Sequence, residues 1–335
     1  MEKKRIPYLD GLRGLAILLV TLMHVGYAGG NNFYHRGFVY AVQLFFIISA
    51  FSIFFSWQTH QKESLHPIKN FYIRRFLRIW PLWSLMVFGF ALATKPLIIS
   101  IFLNLTFLFG FSFIPGAGEV VLGGWSLFVE EIFYLVFPFF IGSKINNLKT
   151  AILLMAFFLS ISFGWDLYHG AALFSFATNS SIYRELPNQF FCFFVGIVIY
   201  FLKDYPNKIS EQFGSWRFIL DFLAVAFVVV ALRFDHRSAT LAWGFFVFVT
   251  LIPGSILQKT MTLNVFQWLG LRCYAIYLLQ FAVIGIFESV VPHPSDPVVQ
   301  NIVRYIFTFA MFLFVGNFLY RFIEQPFINY GKKFK

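Results

Sequence analysis

Residues 9–27 read LDGLRGLAILLVTLMHVGY, an apolar run long enough to cross a bilayer that nevertheless carries Asp10, Arg13 and His24. Roughly 20 apolar residues span the ~30 Å hydrocarbon layer. Ionisable groups at that depth are costly, face a bundle interior or a wet cavity, and mark function by default. At 100° per residue, the eleven steps from Arg13 to His24 end about 20° past three full turns, so both lie on one stripe. With a rise of ~1.5 Å per residue they stand about 16 Å apart along the axis. A cation near one end of a membrane helix and an imidazole deep inside it outline a route or an active site.

The rest of the chain agrees. Of its 335 residues 59% are hydrophobic and only 12% charged, whereas soluble domains carry about 25% charged residues. The class is therefore all-α integral membrane protein. No repeat of fixed period and no Ser/Thr/Pro-rich linker divides it, which predicts one membrane domain over residues 1–335. The net charge of +11 resides in short loops between apolar runs, the positive-inside pattern, and so points to a bilayer rather than to nucleic acid. Cys192 and Cys273 fall in separate predicted helices, which supports neither a disulfide framework nor a metal site. The start, MEKKR before an apolar run, resembles a secretory signal. Arg13 interrupts that run and ten further apolar segments follow, so an uncleaved anchor is expected.

Eleven apolar runs fall near residues 9–27, 38–57, 79–95, 97–114, 125–142, 150–165, 186–202, 217–234, 239–256, 268–290 and 300–322. The fourth decides the topology. With Met1 cytoplasmic and 97–114 not crossing, 19 cations lie inside and 6 outside; with it crossing, 12 lie inside and 13 outside. Basic residues in short loops set orientation, so ten crossings are predicted, with both termini in the cytoplasm. Residues 97–124 then form a re-entrant or interfacial hairpin on the outer side. Its Asn104, Pro115, Gly116, Gly118 and Gly123-Gly124 suit irregular backbone lining a cavity shielded from lipid.

This topology assigns depths. His24 lies about 22 Å in from the cytoplasmic side, and Glu130 about 7 Å below the outer surface, counted from Trp125. The two reach a similar level. A carboxylate beside an imidazole orients the ring and stabilises its cation, which is what general acid/base chemistry needs. The same pair could equally hold two helices together. Asp10 precedes the apolar run and has an alternative role as an N-cap. A second cluster, NFYIRRFLRIWP (70–81), places Arg75 and Arg78 on one helix face with Arg74 to the side. Guanidinium forks so placed bind phosphate bidentately, although lone arginines at such a mouth also serve as membrane anchors.

Taken in order, these segments resemble the acyltransferase 3 family of bacterial membrane O-acyltransferases. YLDGLRGLAILLVTLMHVG is similar to its opening Arg-x10-His helix. LFFIISAF is similar to its FF-x-x-SGF element, with Ala50 where glycine is usual, and RRFLRIWP to its Arg-x-x-Arg segment. WSLFVEEIFYLVFP resembles its WSL-x-x-E-x-x-FY signature, and LRCYAIYLLQ and FIEQPF its last two helices. The resemblance implies a multi-pass enzyme of the bacterial cell (inner) membrane. It would transfer an acyl group, expected to be acetyl from cytoplasmic acetyl-CoA, to a hydroxyl of a surface polysaccharide, lipopolysaccharide or other glycolipid precursor. It makes His24 the catalytic histidine, Arg13 its motif partner and Glu130 the signature carboxylate, with Asp10 beside them. Arg75, Arg78 and Arg74 would bind the acyl-CoA. Gln280 stands where many members carry a histidine. The chain ends soon after its last helix, so no appended periplasmic domain is expected. The rival reading is a transporter or flippase for a glycolipid or small anion. Such proteins often have two related halves with paired broken helices, and only one interrupted segment, 97–124, is apparent here.

Overall fold

A computed structural model of the protein describes residues 6–28, 36–61, 64–111, 114–116, 118–170, 180–291 and 297–334. Lys3, Lys4, Arg5, Lys62 and Lys335, counted above among the inside cations, lie outside the described residues. The fold is all-α. Its helices run α1 (Pro7–Ala28), α2 (Ala41–His60), α3 (Pro67–Thr94), α4 (Ile98–Leu105), α5 (Trp125–Val136), α6 (Leu148–Tyr168), α7 (Ser180–Arg184), α8 (Leu186–Gln189) and α9 (Phe191–Leu202). They continue with α10 (Tyr205–Phe213), α11 (Phe218–Ala231), α12 (His236–Thr250), α13 (Ile256–Met261), α14 (Asn264–Val290), α15 (Pro297–Met311), α16 (Asn317–Leu319) and α17 (Gln325–Gly331). Two π-helical segments, Phe312–Gly316 and Tyr320–Glu324, join the last three into one apolar rod.

Six described helices are long and apolar enough to cross a membrane, and the pair Leu186–Leu202 and Tyr205–Phe213, bent by 62°, makes a seventh if it is one span. The other three expected crossings correspond to α5, α11 and α12, of 12, 14 and 15 residues. These are shorter than the ~20 residues that cross without help, and α5 is lengthened by a π-helical turn at Phe137–Ile141. Residues 97–124 contain no spanning helix among the described residues. α4 is followed by a 3-10 turn at Leu108–Gly110 and bends. Asn104, fully buried, ties this irregular backbone. Its amide donates to the Ser100 and Gly118 carbonyls at 2.8 Å each, and its Oδ1 accepts from Val120 N at 3.1 Å. Trp83 Nε1 donates to its carbonyl at 2.8 Å. These bonds satisfy polar groups of the bend within the protein, as lipid-depth backbone requires.

Two compact units share the chain. One comprises Met1–Val20, Gly37–Gln58 and Phe139–Leu271; the other comprises Thr21–Arg36, Thr59–Pro138 and Arg272–Lys335. In the first, backbone meets backbone. A Cβ on Gly11 would lie 1.8 Å from the Met261 carbonyl oxygen, one on Gly14 2.0 Å from that of Phe266, and one on Gly270 1.7 Å from that of Asp10. Small residues allow such close approach between membrane helices, which explains both glycines of the DGLRG segment. Ala50 packs where a Cβ on Gly196 would be 3.1 Å away, so the methyl that replaces the usual glycine is accommodated by a glycine opposite. A buried network closes the same unit. Arg237 pairs with Asp166 (2.7 Å) and Asp235 (2.8 Å), and Asn188 bridges Asp166 and Ser162 at 2.8 Å each. Buried charges survive only when paired and hydrogen-bonded in this way.

The second unit is organised by α3. It starts well before the expected span at 79–95, so Arg74, Arg75 and Arg78 lie in the first turns of a continuous helix rather than in a loop before one. α3 packs on α4 and α17, and Tyr72 donates to the Leu135 carbonyl of α5 at 2.6 Å.

Candidate active site

Three groups of polar residues hold the positions that the sequence singled out. On α1, Arg13 Nη1 bonds Asp10 Oδ1 at 3.0 Å and Nη2 donates to Ser52 Oγ of α2 at 2.8 Å. Asp10 is therefore the counter-ion of Arg13, one turn away on the same helix. The pairing offsets the cost of holding a cation inside an apolar helix.

The second group lies wholly within the other unit and is built from four elements. α3 supplies Arg75 and Arg78, α5 supplies Glu130, Glu131 and Tyr134, α14 supplies Tyr274, and the π segment after α16 supplies Glu324. The Arg75 guanidinium lies over the Phe71 and Tyr134 rings at 5.7 and 5.4 Å. Tyr134 donates to Glu130 one turn away. Arg75 and Arg78 repel each other, and both are attracted to Glu130. Arg78 is also attracted to Glu324, which is 3% exposed. Two orphan atoms remain here: Arg75 Nε and Glu324 Oε2 have no hydrogen-bond partner among the described residues. A buried unpaired donor is costly, and an anionic oxygen would satisfy it. Arg74 turns away, with Nη1 donating to the Phe334 carbonyl at 2.5 Å.

The third group surrounds His24. Its Nδ1 meets Gln280 Oε1 at 3.0 Å, and its ring packs against Phe281 with centroids 4.5 Å apart. Phe281 in turn abuts Gly123, where a Cβ would come within 2.9 Å of the ring. Tyr277 Oη donates to the Gly123 carbonyl and meets Ser126 Oγ, both at 2.8 Å. The turn before α5 is thereby clamped to α14.

The depth count placed Glu130 at the level of His24. In the structure Glu130 accepts from Tyr134 on its own helix and attracts the Arg75 and Arg78 guanidinium groups of α3. The amide of Gln280 meets the ring of His24. One face of α14 serves both groups. Tyr274, Tyr277 and Phe281 are spaced by three and four residues and so form one stripe. The six residues from Tyr274 to Gln280 correspond to about 9 Å of helix.

The family profile described as "Acyltransferase domain" matches residues 6–321. The chain belongs to this acyltransferase 3 family. With its several long apolar helices it is a multi-pass membrane protein of bacterial type. Among curated relatives, "Peptidoglycan O-acetyltransferase OatA" of Listeria monocytogenes is 26% identical, over 100% of this chain and 58% of its own length. A candidate O-acetyltransferase of Staphylococcus aureus is 25% identical over 99% and 59%. The candidate peptidoglycan O-acetyltransferase YrhL of Bacillus subtilis is 24% identical over 97% and 55%. The chain therefore spans less than two thirds of these relatives. No solved structure matches it.

Sequence reading of this acyltransferase overlooked Glu324, Tyr134 and Tyr274. Glu324 had a usable signal, a lone carboxylate in the apolar FIEQPF run, which the membrane-cost argument flags. The tyrosines had none, since aromatic residues crowd every helix of this chain. Gly123 yields a test of the clamp. It adopts φ +81°, and forcing an L-residue there costs about 1–2 kcal/mol. Gly123→Ala is expected to lower stability by about that amount and, by moving Phe281, to slow the reaction several-fold. Thermal midpoint and turnover measured together check this, and a variant unchanged in both would break the link from turn to His24.

Proposed function

We propose that this acyltransferase carries an acyl group, acetyl in the simplest case, from acyl-CoA on the cytoplasmic side to a hydroxyl of a surface glycan. The relatives' names favour peptidoglycan over lipopolysaccharide as acceptor. The observation that carries the reading is the shared stripe of α14, which joins the arginine cluster at Tyr274 to His24 at Phe281. Arg75 and Arg78 would hold the diphosphate of acetyl-CoA. The unsatisfied Arg75 Nε–H supports an anionic ligand, and guanidinium groups match phosphate geometry. Glu130 and Glu324 keep the two arginines apart and in place, while Asp10 neutralises Arg13 on the helix that carries His24.

His24 acts as general base. Its unprotonated nitrogen takes the proton of the acceptor hydroxyl as that oxygen attacks the thioester carbonyl. The C–S bond breaks, an ester forms, and the imidazolium returns its proton to the departing thiolate. The acyl-histidine route, with His24 as first nucleophile, uses the same residue in a different order.

Purified protein in lipid vesicles, given labelled acetyl-CoA and purified peptidoglycan, is expected to deposit label in an alkali-labile ester. Movement of label across the vesicle wall without ester formation would overturn the reading in favour of transport.

A further inference from the structure

Gln280 is fully buried, yet among the described residues its side chain makes a single polar contact, the 3.0 Å one from Oε1 to His24 Nδ1. Its Nε2 has no partner among the described residues. A carboxamide in an apolar helix core with its NH2 donors unmet is an unfavourable choice. Leucine or methionine would fill the space on α14 without that cost. Packing therefore does not explain the residue, and its bond to the imidazole does.

We propose that Gln280 is the positioning residue of His24, fixing its tautomer and ring orientation. The inference rests on His24 being the base. An amide oxygen can only accept, so the nitrogen facing it must carry the proton. Nδ1–H then donates to Oε1, and the lone pair is left on Nε2, the nitrogen that must receive the hydroxyl proton. In histidine sites generally, the partner of one ring nitrogen selects the state of the other. Phe281, one residue on, packs against the ring at 4.5 Å between centroids, tilted by 54°, and narrows the room in which it can turn. Gln280 and Phe281 thus fix the plane and the protonation of the base from neighbouring positions on one helix.

The choice of amide over carboxylate has a consequence. A carboxylate in that place would stabilise imidazolium and keep the base protonated to higher pH, whereas a neutral oxygen orients without doing so. Ionisable groups on the surrounding elements have described partners. Glu119 accepts from Gly123 N at 2.9 Å, and Tyr277 bonds the Gly123 carbonyl. Tyr305 of α15 donates to the Leu22 carbonyl at 3.3 Å. Glu288 and Arg304 pair at 2.8 Å.

The test compares wild type, Gln280→Leu, Gln280→Glu and His24→Ala as full-length protein in vesicles, with labelled acetyl-CoA and purified peptidoglycan across a pH series. Gln280→Leu is expected to lower kcat about 10–100-fold, the usual effect of removing the group that orients an active imidazole, with KM for acetyl-CoA nearly unchanged. Gln280→Glu restores the acceptor, so kcat at high pH is expected to recover most of the loss. Its acidic limb should move up by about one pH unit or more, because an adjacent carboxylate raises the imidazole pKa. If Gln280→Leu does not fold, Gln280→Met replaces it at similar volume. Full kcat in the apolar variant overturns the proposal. So does equal loss in both variants with the wild-type pH limb, the mark of a merely structural residue. His24→Ala separates the levels. If it is inactive while Gln280 proves dispensable, only the positioning role falls; if it is active, the catalytic reading falls first.

Discussion

His24→Ala is expected to abolish ester formation, lowering turnover by about three orders of magnitude at neutral pH. General-base catalysis alone contributes ~10²–10⁴-fold, and the acyl-histidine variant of the mechanism would lose its nucleophile outright. The fold should tolerate the change. The His24 side chain is only half-buried, and losing its Gln280 bond and Phe281 contact costs about 1–2 kcal/mol of stability. KM for acetyl-CoA should stay near wild type, because the arginines proposed to bind it lie on α3. A loss of kcat without a loss of donor binding or of folded protein is the expected pattern. It is read from initial rates at matched protein amounts, with binding of labelled acetyl-CoA as control. Normal turnover in His24→Ala would remove the chemistry from this residue.

The sequence and the structure agree most closely where physics is local. Membrane class, the helices and the non-spanning character of 97–124 all follow from apolar run length and loop charge, which are properties of short segments. The same holds for the Arg75/Arg78 pair, whose shared face is a matter of helix period. What depended on partner choice was less legible. Glu130 at one depth could face an imidazole or two guanidinium groups, and depth alone does not choose between them. α5 is held by Tyr72 donating to the Leu135 carbonyl and by Tyr277 donating to the Gly123 carbonyl, contacts that no depth count contains. Gln280 could be read from sequence only as a departure from the family pattern. Its meaning depends on a contact 256 residues away in the chain. The first turns of α3 lie ahead of its apolar run for a different reason. Three arginines and a lysine in 69–78 lower the hydropathy of a helix whose backbone is continuous from Pro67.

The arginine cluster illustrates how membrane placement makes a charged site workable. Arg75 and Arg78, three residues apart on one helix face, would repel strongly in a low-dielectric interior. Glu130 and Glu324 supply opposing charge, and aromatic rings of Phe71 and Tyr134 take the Arg75 face. An anion entering this group exchanges one set of acceptors for another and need not meet bare cations.

Gly14→Val and Gly270→Val are each expected to prevent stable folding, with Gly14→Ala already losing about 3 kcal/mol or more, the upper range for overpacking. The clash is at Cβ itself. It lies 2.0 Å from the Phe266 carbonyl oxygen for Gly14 and 1.7 Å from that of Asp10 for Gly270. Neither neighbour is a side chain that can rotate away. To accept a methyl, α1 must separate from the start of α14 by about an ångström, and packed helices do not yield that distance without losing contacts along their length. The fully buried Leu12 and Ala16 of α1 would lose their packing first. Gly285, farther along the same α14, provides the control, since a Cβ there meets nothing within 4 Å. Gly285→Ala should be neutral or stabilising by up to about 1 kcal/mol through helix propensity. Thermal unfolding in detergent and the amount of protein recovered from membranes separate the two cases. Equal behaviour of Gly14→Ala and Gly285→Ala would show that α1 and α14 are not in backbone contact. The contrast also explains why glycine flanks Arg13 on both sides. The helix must lie flush against its neighbour at Gly11 and Gly14 while the residue between them turns to Asp10 and Ser52, so the two glycines set the position of the cation as well as the packing of α1.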